Sequence, residues 1–136
     1  MLTSLGIRNV VLIDRLDLTF DHGLSVLTGE TGAGKSILLD ALGLATGTRA
    51  EGGLVRHGAE RASVTASFEV PAGHASNAML DEHGIDPEKI LVLRRDVGPE
   101  GRSRAYINDQ PASVGLLRRI GATLVEIQGQ FEQHGL

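Results

Sequence analysis

Between Leu5 and Phe20 the apolar positions fall into two short alternating stretches, Leu5-Ile7 and Leu16-Leu18-Phe20, flanking the run Val10-Val11-Leu12-Ile13. This pattern predicts two or three strands. Asp21-His22-Gly23 is a turn signal, and the compact apolar run Leu24 to Thr28 predicts a buried strand that stops at a glycine-rich loop. From Ser36 to Thr46 the spacing of Ile37, Leu38, Ala41, Leu42 and Ala45 becomes helical, with Gly43 weakening the helix and Gly47 ending it. Ser63 to Val70 alternates strictly, Val64, Ala66, Phe68 and Val70 on one face, which predicts a half-buried antiparallel strand. His74 to Glu82 reads as a short helix, and Ile90 to Val97 and Arg104 to Asn108 as a hairpin turning through Gly98-Pro99-Glu100-Gly101. After Asn108-Asp109-Gln110-Pro111, Ser113 is placed to cap a helix carrying Val114, Leu117, Ile120 and Leu124 on one stripe, and Leu124 to Ile127 is expected to be a closing strand.

The loop in the middle of this pattern carries the chemistry. Gly29-Glu30-Thr31-Gly32-Ala33-Gly34-Lys35-Ser36 fits G-x-x-x-x-G-K-[ST] and stands between a predicted strand and a predicted helix, as a phosphate loop must. Gly29, Gly32 and Gly34 free successive backbone N–H groups to converge on a phosphate oxygen at the positive end of a helix. Lys35 then reaches the β and γ phosphates as a point charge, and the Ser36 hydroxyl ligates Mg²⁺. Glu30 sits at a variable position of the loop and reads as a solvated or helix-start charge, not as a catalytic base. A hydrolysing enzyme of this kind also needs a strand ending in an acid that holds Mg²⁺ or its water. Val10-Val11-Leu12-Ile13-Asp14 has that form, but it precedes the loop and is followed by Arg15, so it reads as a strand ending at a turn. Asp40-Ala41-Leu42-Gly43 mimics the D-x-x-G of small GTPases inside the helix, and no N-K-x-D is present to read guanine. The expected site is therefore part of an active site rather than all of one.

Composition narrows the setting. With 136 residues, 41% apolar and 22% charged, the chain is expected to form one packed domain. No apolar run approaches a membrane span and no secretory signal pattern opens the chain, which predicts a cytoplasmic protein without a membrane partner. The absence of cysteine excludes disulfides, thiolate zinc sites and a cysteine nucleophile. A net charge of −4 argues against a nucleic-acid surface spread over the whole molecule, while clustered arginines can still build a local one.

The stretch Gly29 to Leu44 resembles the Walker A region of the RecN family of SMC-like, ABC-type ATPases, the bacterial DNA repair proteins. Ile7-Arg8-Asn9-Val10 is similar to the first-strand pattern of SMC-like ATPases. Gly47-Thr48-Arg49-Ala50 is similar to the family's segment after the Walker helix, and Leu54-Val55-Arg56-His57-Gly58 with Ala62-Ser63-Val64 to the strand entry that follows. Gly101 to Asn108 resembles its hairpin and Val125-Glu126-Ile127-Gln128-Gly129-Gln130 its Q-loop, so that the likeness spans about Leu5 to Gln133. The resemblance implies an α/β P-loop NTPase fold: the N-terminal lobe of an ABC-ATPase head, with an antiparallel β subdomain formed by the N-terminal strands and the 62–108 region. On this reading residues 1–136 are a single incomplete domain. The coiled coil and a C-terminal lobe carrying the Walker B acid, catalytic glutamate and signature motif lie elsewhere. It further implies ATP and Mg²⁺ bound by Gly29, Glu30, Thr31, Gly32, Ala33, Gly34, Lys35, Ser36 and Ile37, with Lys35 catalytic. Gln128 or Gln130 approaches Mg²⁺ and the γ-phosphate, Gln128 preferred as the catalytic and metal-facing residue. The implied partners are the C-terminal lobe, a second head in an ATP-bound homodimer, and DNA at double-strand-break ends, in the cytoplasm at the bacterial nucleoid.

Other residues carry two readings each. Arg8 and Asn9 either contact phosphate or ribose or are a solvated strand end. Arg49 either has the role its resemblance to the arginine loop of SMC-like heads implies, contact with a phosphate across the dimer or with DNA, or is a charge favoured at a helix C-terminus. Arg94, Arg95, Arg102 and Arg104 are expected to cluster on the hairpin, where they contact DNA phosphates or simply solvate and protect the strands. The five histidines lack metal-ligand spacing and read as structural or exposed. Two rival functions stand beside the ATPase lobe: a self-contained P-loop nucleotide or small-molecule kinase with the hairpin as lid, and an interaction module whose P-loop only stabilises the fold.

Overall fold

The computed structural model describes residues 1–20, 32–50 and 52–135, with residues 32–36 and 125–135 followed by their backbone. The predicted turn at Asp21-His22-Gly23 and the predicted strand at Leu24 to Thr28 lie outside the described residues, as do Gly29, Glu30 and Thr31. The described elements are β1 (Leu2–Val10), β2 (Ile13–Thr19), α1 (Gly32–Ala45), β3 (Ala62–Glu69), α2 (Ala75–Glu82), β4 (Ile90–Val97), β5 (Ser103–Ile107), β6 (Gln110–Ala112) and α3 (Val114–Gly135). Their strands form one six-stranded antiparallel sheet in the order β2-β1-β3-β4-β5-β6.

Period-2 alternation sorts the sheet into two faces. Ile7 pairs with Val64 and Val64 with Arg95, while Leu5 pairs with Ala66, Ala66 with Leu93 and Leu93 with Ile107. These side chains share the buried face, and α1 packs against β1, β3 and β4 while α3 packs against β5 and α2. Ala41, Leu42, Leu44 and Ala45 of α1 and Leu116, Leu117, Ile120 and Leu124 of α3 complete the core. The opposite face carries Arg8, Arg15, Asp17, Ser63, Thr65, Arg94, Asp96, Arg104 and Tyr106.

Several elements differ from the sequence expectation for identifiable reasons. Val10-Val11-Leu12-Ile13 is not a strand of its own: Val10 ends β1 and Ile13 opens β2, and Val11 and Leu12 turn between them, Val11 with a φ of 51° donating its N–H to the Leu54 carbonyl at 2.8 Å and Leu12 86% exposed. Asp14 follows that turn on β2 and pairs with Arg56 at 3.0 Å, so it has an ordinary partner of its own. α1 begins at Gly32, four residues before the apolar periodicity starts, because the loop glycines carry no periodicity to read. Ile107 and Gln110 pair across Asn108 and Asp109, whose φ values of 50° and 65° form a type I′ turn; this adds the short strand β6, where Pro111 is tolerated at the sheet edge. Leu124 to Ile127 is helical and not a closing strand: the Leu117, Ile120, Leu124 spacing continues the stripe of α3, and period 3.6 prevails over the short β-like run.

The predicted cap is in place, Ser113 Oγ accepting the Leu116 N–H at 3.0 Å at the start of α3; the structure adds a second at the start of α2, where His74 Nδ1 accepts the Ser76 N–H at 3.1 Å. No described helix is long and apolar enough to cross a membrane.

Candidate functional site

The phosphate-loop motif runs directly into α1. Gly32, Ala33, Gly34, Lys35 and Ser36 form the helix's first turns. The first four N–H groups of a helix lack intrahelical acceptors, so the backbone of these residues presents donors at the positive end of the dipole. Ile37 follows, half-buried, and Asp40-Ala41-Leu42-Gly43 lies in the middle of the helix, where a GTPase switch motif has no use. Gln128 and Gln130 lie in the last turns of α3.

The far end of α1 is closed by a Schellman motif. The Thr48 N–H bonds the Gly43 carbonyl at 2.9 Å and the Gly47 N–H bonds the Leu44 carbonyl at 3.2 Å, with Gly47 at a φ of 104°. Gly47 is required there twice over, since a Cβ would stand 2.6 Å from the Arg118 Cα. Arg49 follows, exposed, beside a hollow shared with Leu39, Asp40, Gly43, Leu44, Thr48 and Leu54.

Arg8 and Asn9 are sent in different directions. Arg8 lies on the helix-free face of the sheet, where its guanidinium grips Asp17 at 2.9 and 3.2 Å and bonds the Ile7 carbonyl at 2.9 Å. The Arg8 hydrogen bonds, helped by Arg15 at 3.3 Å, hold the Asp17 carboxyl below the usual carboxylate range. Asn9 turns into the left-handed region with a φ of 57°, a conformation Asn tolerates, and its carbonyl accepts the Arg56 N–H at 2.8 Å. It thereby lines a polar hollow of about 450 Å³ with Arg56, His57, Ala59, Glu60 and Arg61. The Leu54 that receives the Val11 N–H also touches the hollow beside Leu39 and Asp40, so this corner of the sheet is linked to the middle of α1.

The expected arginine cluster on the hairpin is split, because neighbours on a strand face opposite ways. Arg94 stays on the helix-free face, its guanidinium 4.0 Å from the Tyr106 ring centroid and its Nε 3.6 Å from Asp96. Arg104, opposite Asp96, shares that face. Arg95 is 3% exposed on the core face, donating through Nη1 to the carbonyls of Leu44 and Thr48 at 3.1 and 2.9 Å and through Nε to Ser103 Oγ at 3.0 Å. Burial, and to a lesser degree Arg118, lowers its affinity for the proton from the ordinary arginine value. The sequence reading grouped this residue with the exposed hairpin arginines, although the parity of Leu91, Leu93, Arg95 and Val97 carries the signal for a buried position. Among the described residues no group of three or more His, Asp or Glu is arranged to hold a metal.

A family profile described as an AAA domain matches residues 4–96. The chain belongs to the AAA-domain family. Within that family this AAA domain is similar over its whole length to the DNA repair protein RecN of Halalkalibacterium halodurans, at 44% identity over 137 residues, covering 24% of that protein. The RecN proteins of Haemophilus influenzae and Bacillus subtilis are 44% and 40% identical over 133 residues each, with 96% and 97% of this chain covered and 24% and 23% of theirs. The chain thus spans about a quarter of the length of these relatives, at their N-terminal end. Among solved structures the AAA domain resembles an SMC ATPase studied for ATP-driven dimerization and DNA-stimulated activation, with a TM-score of 0.69 at 22% identity over 90% of this chain and 78% of that one. It also resembles the SMC head domain from Thermotoga maritima, with a TM-score of 0.60 at 18% identity over 87% of this chain and 41% of that one. The recombination mediator RecF gives a TM-score of 0.62 at 17% identity over 86% and 29%. The fold is that of a P-loop head's N-terminal lobe with its antiparallel sheet.

Proposed function

We propose that this chain is the ATP-binding lobe of an SMC-family ATPase of DNA repair, working in double-strand-break repair and recombination in the bacterial cytoplasm, at the nucleoid. The observation that carries the reading is the G-x-x-x-x-G-K-S motif running into α1, in a chain that is 44% identical to RecN over its full length. Gly29 to Ile37 bind ATP through backbone N–H groups, Lys35 neutralises charge on the β and γ phosphates, and Ser36 holds Mg²⁺. Arg8 and Asn9 serve the nucleotide from the end of β1, and Arg49 contacts phosphate, of the nucleotide across a head dimer or of DNA. Gln128, or Gln130 two residues on, faces the metal and the reacting phosphate.

The lobe is incomplete by itself. The C-terminal lobe supplies the acidic residues, and Ile37, Leu38 and Leu39, only partly buried on α1, offer it apolar surface. ATP then acts as a cross-link: bound on one head, it engages a second copy, and hydrolysis releases the pair and alters its hold on DNA. Lys35→Ala in the full-length protein is expected to abolish ATP binding in an equilibrium titration, and near-normal affinity would contradict the reading. Turnover should also require the C-terminal half. If residues 1–136 hydrolysed ATP or transferred its phosphate alone, a self-contained kinase would replace the split head.

A further inference from the structure

The buried Arg95 does more than fill a place in the core. A helix C-terminus needs cations or donors for its last carbonyls, and the Arg95 bond to Leu44 supplies one. The bond to the Thr48 carbonyl is different, because Thr48 lies past the cap, where the chain is leaving the helix. A fork with donors fixed in one plane thus locks the direction of the chain immediately before Arg49. Arg118 adds a bond from its Nε to the Gly47 carbonyl at 3.3 Å. On the other side of Arg49, Gly52 sits so close to the turn between β4 and β5 that any Cβ would overlap the Pro99 carbonyl. The same hairpin therefore meets the segment on both sides of Arg49, bonded through Arg95 on one side and in close approach at Pro99 on the other. Among the described residues Arg95 has no carboxylate partner; carbonyl and hydroxyl oxygens balance its charge, one carbonyl at the end of α1 and one in the segment that leaves it.

We infer that Arg95 is a positioning residue that sets the direction of the Gly47–Arg49 segment, so that the β4–β5 hairpin aims Arg49 at its phosphate. The functional half of this inference rests on the proposed phosphate contact of Arg49; the positional half does not. Lysine at position 95 keeps the charge but loses the fork, and Ser103→Ala removes only the Nε partner, a milder variant should the first fold poorly.

The test uses the full-length protein and two readouts. Amide hydrogen exchange is expected to quicken over residues 47–50 in Arg95→Lys, by about tenfold, while the amides of α2 keep their wild-type rates. ATP turnover at saturating ATP and duplex DNA is expected to fall in Arg49→Ala and in Arg95→Lys, and the double variant to be no slower than Arg49→Ala, because the two substitutions remove one function. Unchanged exchange over 47–50 in both Arg95→Lys and Ser103→Ala would overturn the positioning role. Turnover losses that multiply in the double variant would overturn the route through Arg49. Quickened exchange with normal turnover in Arg49→Ala would leave the positioning intact and remove the phosphate contact assigned to Arg49.

Discussion

Gly47 shows how much a single position can be asked to do. Its φ of 104° ends α1, and its missing Cβ admits the backbone of α3 at Arg118. Gly47→Ala adds both left-handed strain and a clash with backbone that cannot swing away, and is expected to cost at least about 2 kcal/mol. Denaturant unfolding of the full-length protein checks this: a midpoint within error of wild type would mean that the helix end can reorganise. The glycine was legible in the sequence as a helix stop. Its second duty was not, because the residue it makes room for is 71 positions away. Arg95 is the converse case, a cation that composition assigns to the surface and strand parity assigns to the core.

At the scale of elements, the strongest local patterns became the elements they predict. β3, α2, β4 and β5 lie within two residues of their expected bounds; strict alternation marks β3 and a Gly-Pro turn parts β4 from β5. Ser113 belongs here as well: it caps α3 through the Leu116 N–H, and Ser113→Ala is expected to cost about 1 kcal/mol, read as a lower unfolding midpoint with unchanged ATP affinity. Elements read wrongly share one property, a short apolar run without its own period. Val11 and Leu12, the middle of one such run, became a turn and Leu124 to Ile127 stayed helical, each decided by what the neighbouring chain needed. A run of four apolar residues fits a strand, a turn with one exposed side chain, or a turn of helix, and only packing chooses.

Across the whole molecule, the charges are arranged by face. Although the chain carries a net −4, arginines and carboxylates meet on the helix-free side of the sheet, where Asp17 is gripped by Arg8 and approached by Arg15. A carboxyl whose folded pKa is lowered stabilises the fold above its ordinary range, and that contribution disappears as pH falls through the lowered value. Asp17→Asn is thus expected to flatten the loss of stability below about pH 4, with a small amplitude because the pair is exposed to solvent. A profile from pH 2 to 7 that matches wild type would show that the pair contributes nothing. The sequence by itself determined the family-defining motif, the helix that follows it, the capped helices and the alternating strands, because each depends on residues within one or two turns of one another. Tertiary structure decided which arginine of an adjacent pair is buried, where Asn9 and Arg8 part company, and what holds the segment around Arg49. The burial of Arg95 and the hold on the segment before Arg49 depend on contacts between residues tens of positions apart, where a buried guanidinium and the carbonyls at a helix end satisfy one another.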